Sequence, residues 1–123
     1  MSTARQHSET APVDLELMRE TASLLVTPDA LAVELPPAAR ELDAVTARLR
    51  GHLELLVREV EAAACDLPDS SIRKYCALAC AGEARGKLRT EPTPRYGGEL
   101  GHARRLARVL NTLCDHYEEL GAR

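Results

Sequence analysis

Residues 38–67, "AARELDAVTARLRGHLELLVREVEAAACDL", run without a proline, and prolines stand on both sides, at Pro36-Pro37 and at Pro68. Proline ends helices in their interior and suits their first turn. Between these limits Leu42, Val45, Leu49, Leu53, Leu56, Val60 and Ala64 recur at helical spacing. The stretch predicts one long amphipathic helix starting near Pro37, and a helix of that length needs partners to cover its apolar stripe.

The other segments supply them. Asp14 stands where a helix N-cap belongs, with Val13 and Met18 spaced as a hydrophobic staple and Leu15, Met18, Ala22, Leu25 and Val26 on one face. This shorter helix should stop near Thr27-Pro28. The stretch "TPDALAVELPP" reads as a linker, with Leu31, Val33 and Leu35 able to pack on the bundle. After Pro68, with Asp69 or Ser70 as cap, a third helix should reach about Thr90, before Pro92 and Pro94. Tyr96-Gly97-Gly98 closes the next loop. A fourth helix from about Glu99 to Leu120 places Ala103, Leu106, Ala107, Leu110, Leu113, Cys114, Tyr117 and Leu120 within an arc of about 160°, wide enough for two packing neighbours, and Gly121 suits its C′ position. No segment sustains the alternation of a strand. The expected fold is all-α: an up-and-down bundle of three long helices plus one shorter N-terminal helix, with residues 1–12 a flexible tail and 13–123 a single domain.

With neither Phe nor Trp in its 123 residues, the chain must fill its core with Leu, Val and Ala. Its net charge of −3, with both signs interspersed, lacks the basic excess of a dedicated nucleic-acid binder. No apolar run approaches the ~18 residues of a membrane span and the first residues form no signal peptide, so no membrane association is expected and a cytoplasmic location is. Four cysteines in a reducing compartment are expected as thiols.

The candidate chemistry is sparse. Cys76 and Cys80 lie at i, i+4, and with Cys114 and His52 they could make up a metal or redox set. The competing reading has Cys76 and Cys80 interleaved with Ala77, Ala79, Ala81 and Gly82 as small core residues that let a neighbouring helix approach. No cofactor is expected. Glu83 follows this run directly, so it is expected to be buried and paired with Arg104 or Arg108. Gly51, Gly82, Gly86 and Gly101 each cost about 1 kcal/mol inside a helix, which close backbone packing or a ligand would offset. Arg104, Arg105 and Arg108 form a basic strip that is either a solvated face or a contact for an acidic partner. His102 and His116 fall at the edge of the apolar arc. No Ser/His/Asp order, HExxH, P-loop, GxGxxG or EF-hand pattern appears, so no catalytic residue is assigned.

"RGHLELLVREVE", "RKYCALACAGEARGKL" and "GHARRLARVLNTLCDHYEEL" resemble a group of small uncharacterised proteins of Streptomyces and related actinobacteria, described as natural product biosynthesis proteins of unknown function. The resemblance covers about residues 38–120 and is most specific in "YCALACAGEARGKL" and "LNTLCDHYE". It implies a bacterial cytoplasmic setting beside specialised-metabolite or regulatory genes, and it carries no catalytic or ligand residue. The leading expectation is a non-catalytic helical accessory or regulatory protein that binds a protein partner or a second copy of itself. A thiol-based metal or redox sensor, and a small-metabolite protein or enzyme with a pocket between its helices, are the alternatives.

Overall fold

The computed structural model describes residues 13–26 and 39–121. The expected tail at 1–12, the proline-flanked linker with Leu31, Val33 and Leu35, and Pro37 lie outside the described residues. Four α-helices follow in order: α1 (Leu15–Val26), α2 (Ala39–Cys65), α3 (Ile72–Arg89) and α4 (Gly98–Glu119), with a 3₁₀ turn at Pro94–Tyr96 before α4. Among the described residues there is no strand, and the all-α class holds.

Several helix ends have a local cause. Asp14 Oδ1 accepts from the Leu17 amide at 3.0 Å, as expected of its cap position. The cap of α3 is Ser71, not Asp69 or Ser70: its hydroxyl accepts from the Lys74 amide at 3.1 Å. Asp69 is engaged elsewhere, by the Lys74 ammonium at 2.9 Å, and the Ser71 amide folds back on the Pro68 carbonyl. Gly97 and Gly98 carry φ of 92° and 64°, left-handed values that let the chain turn from the 3₁₀ segment straight into α4. Gly121, at φ 79°, follows α4 as a C′ glycine.

α4 is the hub, packing against α1, α2 and α3, while α2 and α3 also pack on each other and α1 touches α2 only lightly. Arg50 of α2 reaches the C-terminal carbonyls of α3, and Arg73 at the start of α3 donates to the Glu119 carbonyl at the end of α4. Both contacts show neighbours running antiparallel, as short connections require. The expected α2 stripe, Leu42 through Ala64, is buried at every position, and so is the expected α4 stripe as far as Tyr117. Met18, Ala22 and Leu25 bring α1 into the same cluster.

α3 departs from expectation. Its inner face is Ala77, Cys80, Ala81 and Ala84, with Leu88 packed against the cluster. Cys76, Ala79 and Gly82 are exposed instead of sharing that core. The cause is composition: Ala, Cys and Gly ring the helix, so the large side chains of α2 and α4 select which small residues they cover.

Candidate functional site: the outer face of α3 and the cleft beside α4

α3 presents two surfaces. On the side away from the core, Ile72, Tyr75, Ala79, Gly82 and Gly86 follow one another at steps of three or four, so they form a single stripe. Ile72 and Tyr75 are 77% and 75% exposed, well above the other exposed large hydrophobic residues of the described chain apart from Tyr96. A Cβ added at Gly82 or Gly86 would meet nothing within 4 Å. Neither glycine therefore serves packing inside the bundle, which corrects the expectation that they admit a neighbouring helix of the same chain. The same holds for Gly51. Gly101 alone of the four is in close backbone packing, with the preceding turn and not with a neighbouring helix, because a Cβ there would collide with the Tyr96 carbonyl oxygen.

The second surface is the seam between the C-terminal half of α3 and α4. A cleft of about 250 Å³ is lined by Glu83, Lys87, Arg105, Arg108, Val109 and Thr112. A neighbouring cleft of about 330 Å³ is lined by Lys87, Thr90, Glu91, Thr93, Tyr96 and Arg105. Lys87 and Arg105 line both, so they stand at the junction. The Arg105 guanidinium is fixed there by donating to the Tyr96 carbonyl at 2.8 Å, a contact that the bare Gly101 backbone permits. Lys87 and Arg108 make no ion pair or side-chain hydrogen bond among the described residues, in contrast to Arg85, which grips Glu61 at 2.6 and 2.9 Å.

Glu83 is exposed, not buried, because it sits about 100° round the helix from the buried Ala84. It forms no salt bridge with Arg104 or Arg108 among the described residues, so the expected buried pair is not formed. The basic strip is also split. Arg105 and Arg108 face the cleft, whereas Arg104 does not line it and is half-buried, its Nε enclosed without a hydrogen-bond partner.

The cysteines do not assemble. Cys76 is exposed while Cys80 and Cys114 are buried, and burial pushes both of those thiols up to about 11. His52 is occupied on the α1 side, its Nε2 3.4 Å from the Thr21 hydroxyl. Among the described residues no group of three or more His, Cys, Asp or Glu is placed to hold a metal ion, so Cys76, Cys80, Cys114 and His52 are not brought together as ligands.

His102, expected at the boundary of the apolar arc, is 3% exposed. Its Nε2 lies 3.1 Å from Nη2 of Arg50, whose Nη1 donates to the Leu88 carbonyl at 2.9 Å. Sequence reasoning missed it, although His102, Leu106, Val109 and Leu113 follow the same steps of four and three that mark a buried line. No helix of the described residues is long and apolar enough to cross a membrane.

A family model described as a family of unknown function (DUF6415) matches residues 16–122. No curated protein and no solved structure matches the chain.

Proposed function

Because the chain belongs to that family of unknown function, we propose its role from geometry: it is a non-catalytic helical interaction module, and the outer face of α3 is where it pairs with a second copy of itself. The observation that carries this reading is the exposure of Ile72 and Tyr75 on the stripe that ends in the open glycines Gly82 and Gly86. A helical glycine costs about 1 kcal/mol relative to Ala, and nothing inside this bundle offsets that cost at either position.

The stripe complements itself. Its bulky residues lie in the N-terminal half and its small ones in the C-terminal half, so two copies of α3 packed antiparallel set Ile72 and Tyr75 of one against Ala79, Gly82 and Gly86 of the other. A parallel pair would oppose the bulky residues and leave a gap at the glycines. From Ile72 to Gly86 the strip is about 21 Å long and one helix, about 10 Å, wide. That is less than the ~800 Å² per partner of a standard interface, so the dimer is a weak one that concentration controls. An accessory or regulatory role suits such an association, and its setting beside natural product biosynthesis in actinobacteria rests on the resemblance carried by "YCALACAGEARGKL" and "LNTLCDHYE".

Native mass measurement and sedimentation equilibrium over rising concentration test it. Dimer is expected to grow in, to be abolished by Ala79→Glu with the helical circular dichroism unchanged, and to be trapped by a short bis-maleimide through Cys76 in a Cys65→Ser background. A monomer at every concentration, or a dimer indifferent to Ala79→Glu, would overturn it. Metal retained in the native mass would favour the thiol-sensor alternative.

A further inference from the structure

We propose that the two clefts along the seam of α3 and α4 form one binding site for a small phosphate monoester, its phosphate group held by Lys87, Arg105 and Arg108 and its organic part lying beside Thr93 and Tyr96. This goes beyond the pairing of α3 and does not depend on it.

Charge comes first. The chain carries −3 overall, yet the cleft of about 250 Å³ gathers Lys87, Arg105 and Arg108 against the single carboxylate Glu83. No carboxylate of the described residues lies within salt-bridge distance of any of the three. Three cations held together repel one another, and a dianion between them relieves that repulsion. Glu83 lines only the first cleft and Glu91 only the second, so the shared middle, Lys87 and Arg105, is the cationic part.

Geometry comes second. Arg105 is already oriented before any ligand arrives, since one guanidinium N–H is committed to the Tyr96 carbonyl. A guanidinium has five N–H donors, and the remaining ones are free of any hydrogen bond in the described chain. Preorganisation of this kind lowers the entropic cost of gripping a phosphate, and the planar fork matches phosphate oxygens two at a time. The Thr93–Gly98 turn that sets the Tyr96 carbonyl is itself locked, with the Gly98 amide on the Thr93 carbonyl at 2.8 Å and the Tyr96 amide on the same carbonyl at 3.1 Å.

The second cleft defines the rest of the ligand. The Thr90 hydroxyl donates to the Lys87 carbonyl at 2.8 Å, so it can only accept from a ligand, whereas the Thr93 hydroxyl has no partner among the described residues. Tyr96 is 61% exposed and Arg95 lies over its ring at 5.6 Å, so the ring edge and its remaining surface border the cleft. This lining takes a compact, largely uncharged group, a small ring above all. Two carboxylates at the ends of the site disfavour a second anionic group.

The test titrates the full chain calorimetrically with phenyl phosphate, inorganic phosphate, phenol and a short phosphoserine peptide. Phenyl phosphate is expected to bind saturably and about tenfold more tightly than inorganic phosphate, with no heat from phenol. Lys87→Gln and Arg108→Gln, whose side chains hold no part of the fold, are each expected to weaken phenyl phosphate about tenfold at unchanged melting temperature. Absence of saturation by about 10 mM phenyl phosphate, or unchanged affinity in both variants, would overturn the site. Equal affinity for inorganic phosphate would overturn occupancy of the second cleft, and tighter binding of the phosphopeptide than of phenyl phosphate would overturn the small-molecule assignment.

Discussion

Arg50 and His102 meet across the interior seam of α2 and α4, Nη2 to Nε2 at 3.1 Å. An arginine can only donate, so Nε2 of His102 accepts and the ring is the neutral form with its proton on Nδ1. Protonation would set imidazolium against guanidinium in a site that is 3% exposed. The His102 pKa is accordingly lowered, first by burial and then by Arg50 and Arg105, with Glu91 opposing. His52 is lowered too, by burial and Arg48, against a smaller contribution from Asp14.

Both shifts give the same pH dependence. The folded chain binds these protons more weakly than the unfolded chain, whose histidines titrate near ~6.5. Stability is therefore fully present above that pH and is lost as pH falls below it, at up to about 1.4 kcal/mol per pH unit per histidine until the folded value is passed. Urea melts between pH 7.5 and 5 are expected to show this loss, and His102→Gln, a neutral acceptor for Arg50, to flatten its share. Identical slopes in the variant and the parent would show that His102 carries no such linkage.

Thiol chemistry should divide the four cysteines into pairs. Cys65 and Cys76 are exposed and are expected to react with a disulfide reagent within the native state. Cys80 and Cys114, buried and with thiols pushed up to about 11, are expected to react only on unfolding. Cys76→Ser should leave stability within error, whereas Cys80→Ser should cost about 1–3 kcal/mol by burying a hydroxyl. Four equally fast thiols by mass-resolved labelling would contradict the packing of α3.

The core is expected to be unforgiving where α2 and α4 meet. Leu56 and Leu110 have no exposed surface, and replacing either by Ala should cost about 2–5 kcal/mol in chemical denaturation. A change within error at both would mean that the buried faces lie elsewhere.

The glycines separate packing inside the chain from packing outside it. Gly51→Ala should stabilise by about 0.5–1 kcal/mol, since its added methyl meets nothing. Gly101→Ala should destabilise, because the methyl collides with the Tyr96 carbonyl. Gly82→Ala should stabilise the dilute chain like Gly51→Ala while weakening self-association at high concentration. Melting curves at two concentrations distinguish these outcomes.

How much of this was readable from residues alone varies by element. α2 was readable because Leu42 through Ala64 repeat with one helical period, and among the residues between them only Leu55 and Val57 are large and apolar. α3 was not, since Ala77 and Ala81 are buried while Ala79 and Gly82 are exposed, and small residues carry too little hydrophobic contrast to say which side faces inward. Cys76 and Glu83 were misplaced for that one reason. The cleft was only half visible. Arg105 and Arg108 are neighbours on one helix, but Lys87 joins them only through the packing of α3 on α4, and Arg104 leaves them by pointing round the helix.

Arg19 of α1 donates to Asp115 at 2.9 Å and to Glu118 at 2.8 Å, near the end of α4. These partners are separated by 96 and 99 residues, whereas α2 meets α3 and α3 meets α4 across short connections. Closing so long a stretch of chain carries a larger entropic cost than forming the consecutive helix pairs. Assembly should therefore proceed from α2, α3 and α4 inward, with α1 docking last like a clasp on a finished spine. The same order in reverse makes α1 the first unit to open, so native-state hydrogen exchange should find its amides protected by the smallest free energy while those around Leu53 and Leu110 exchange only by global unfolding.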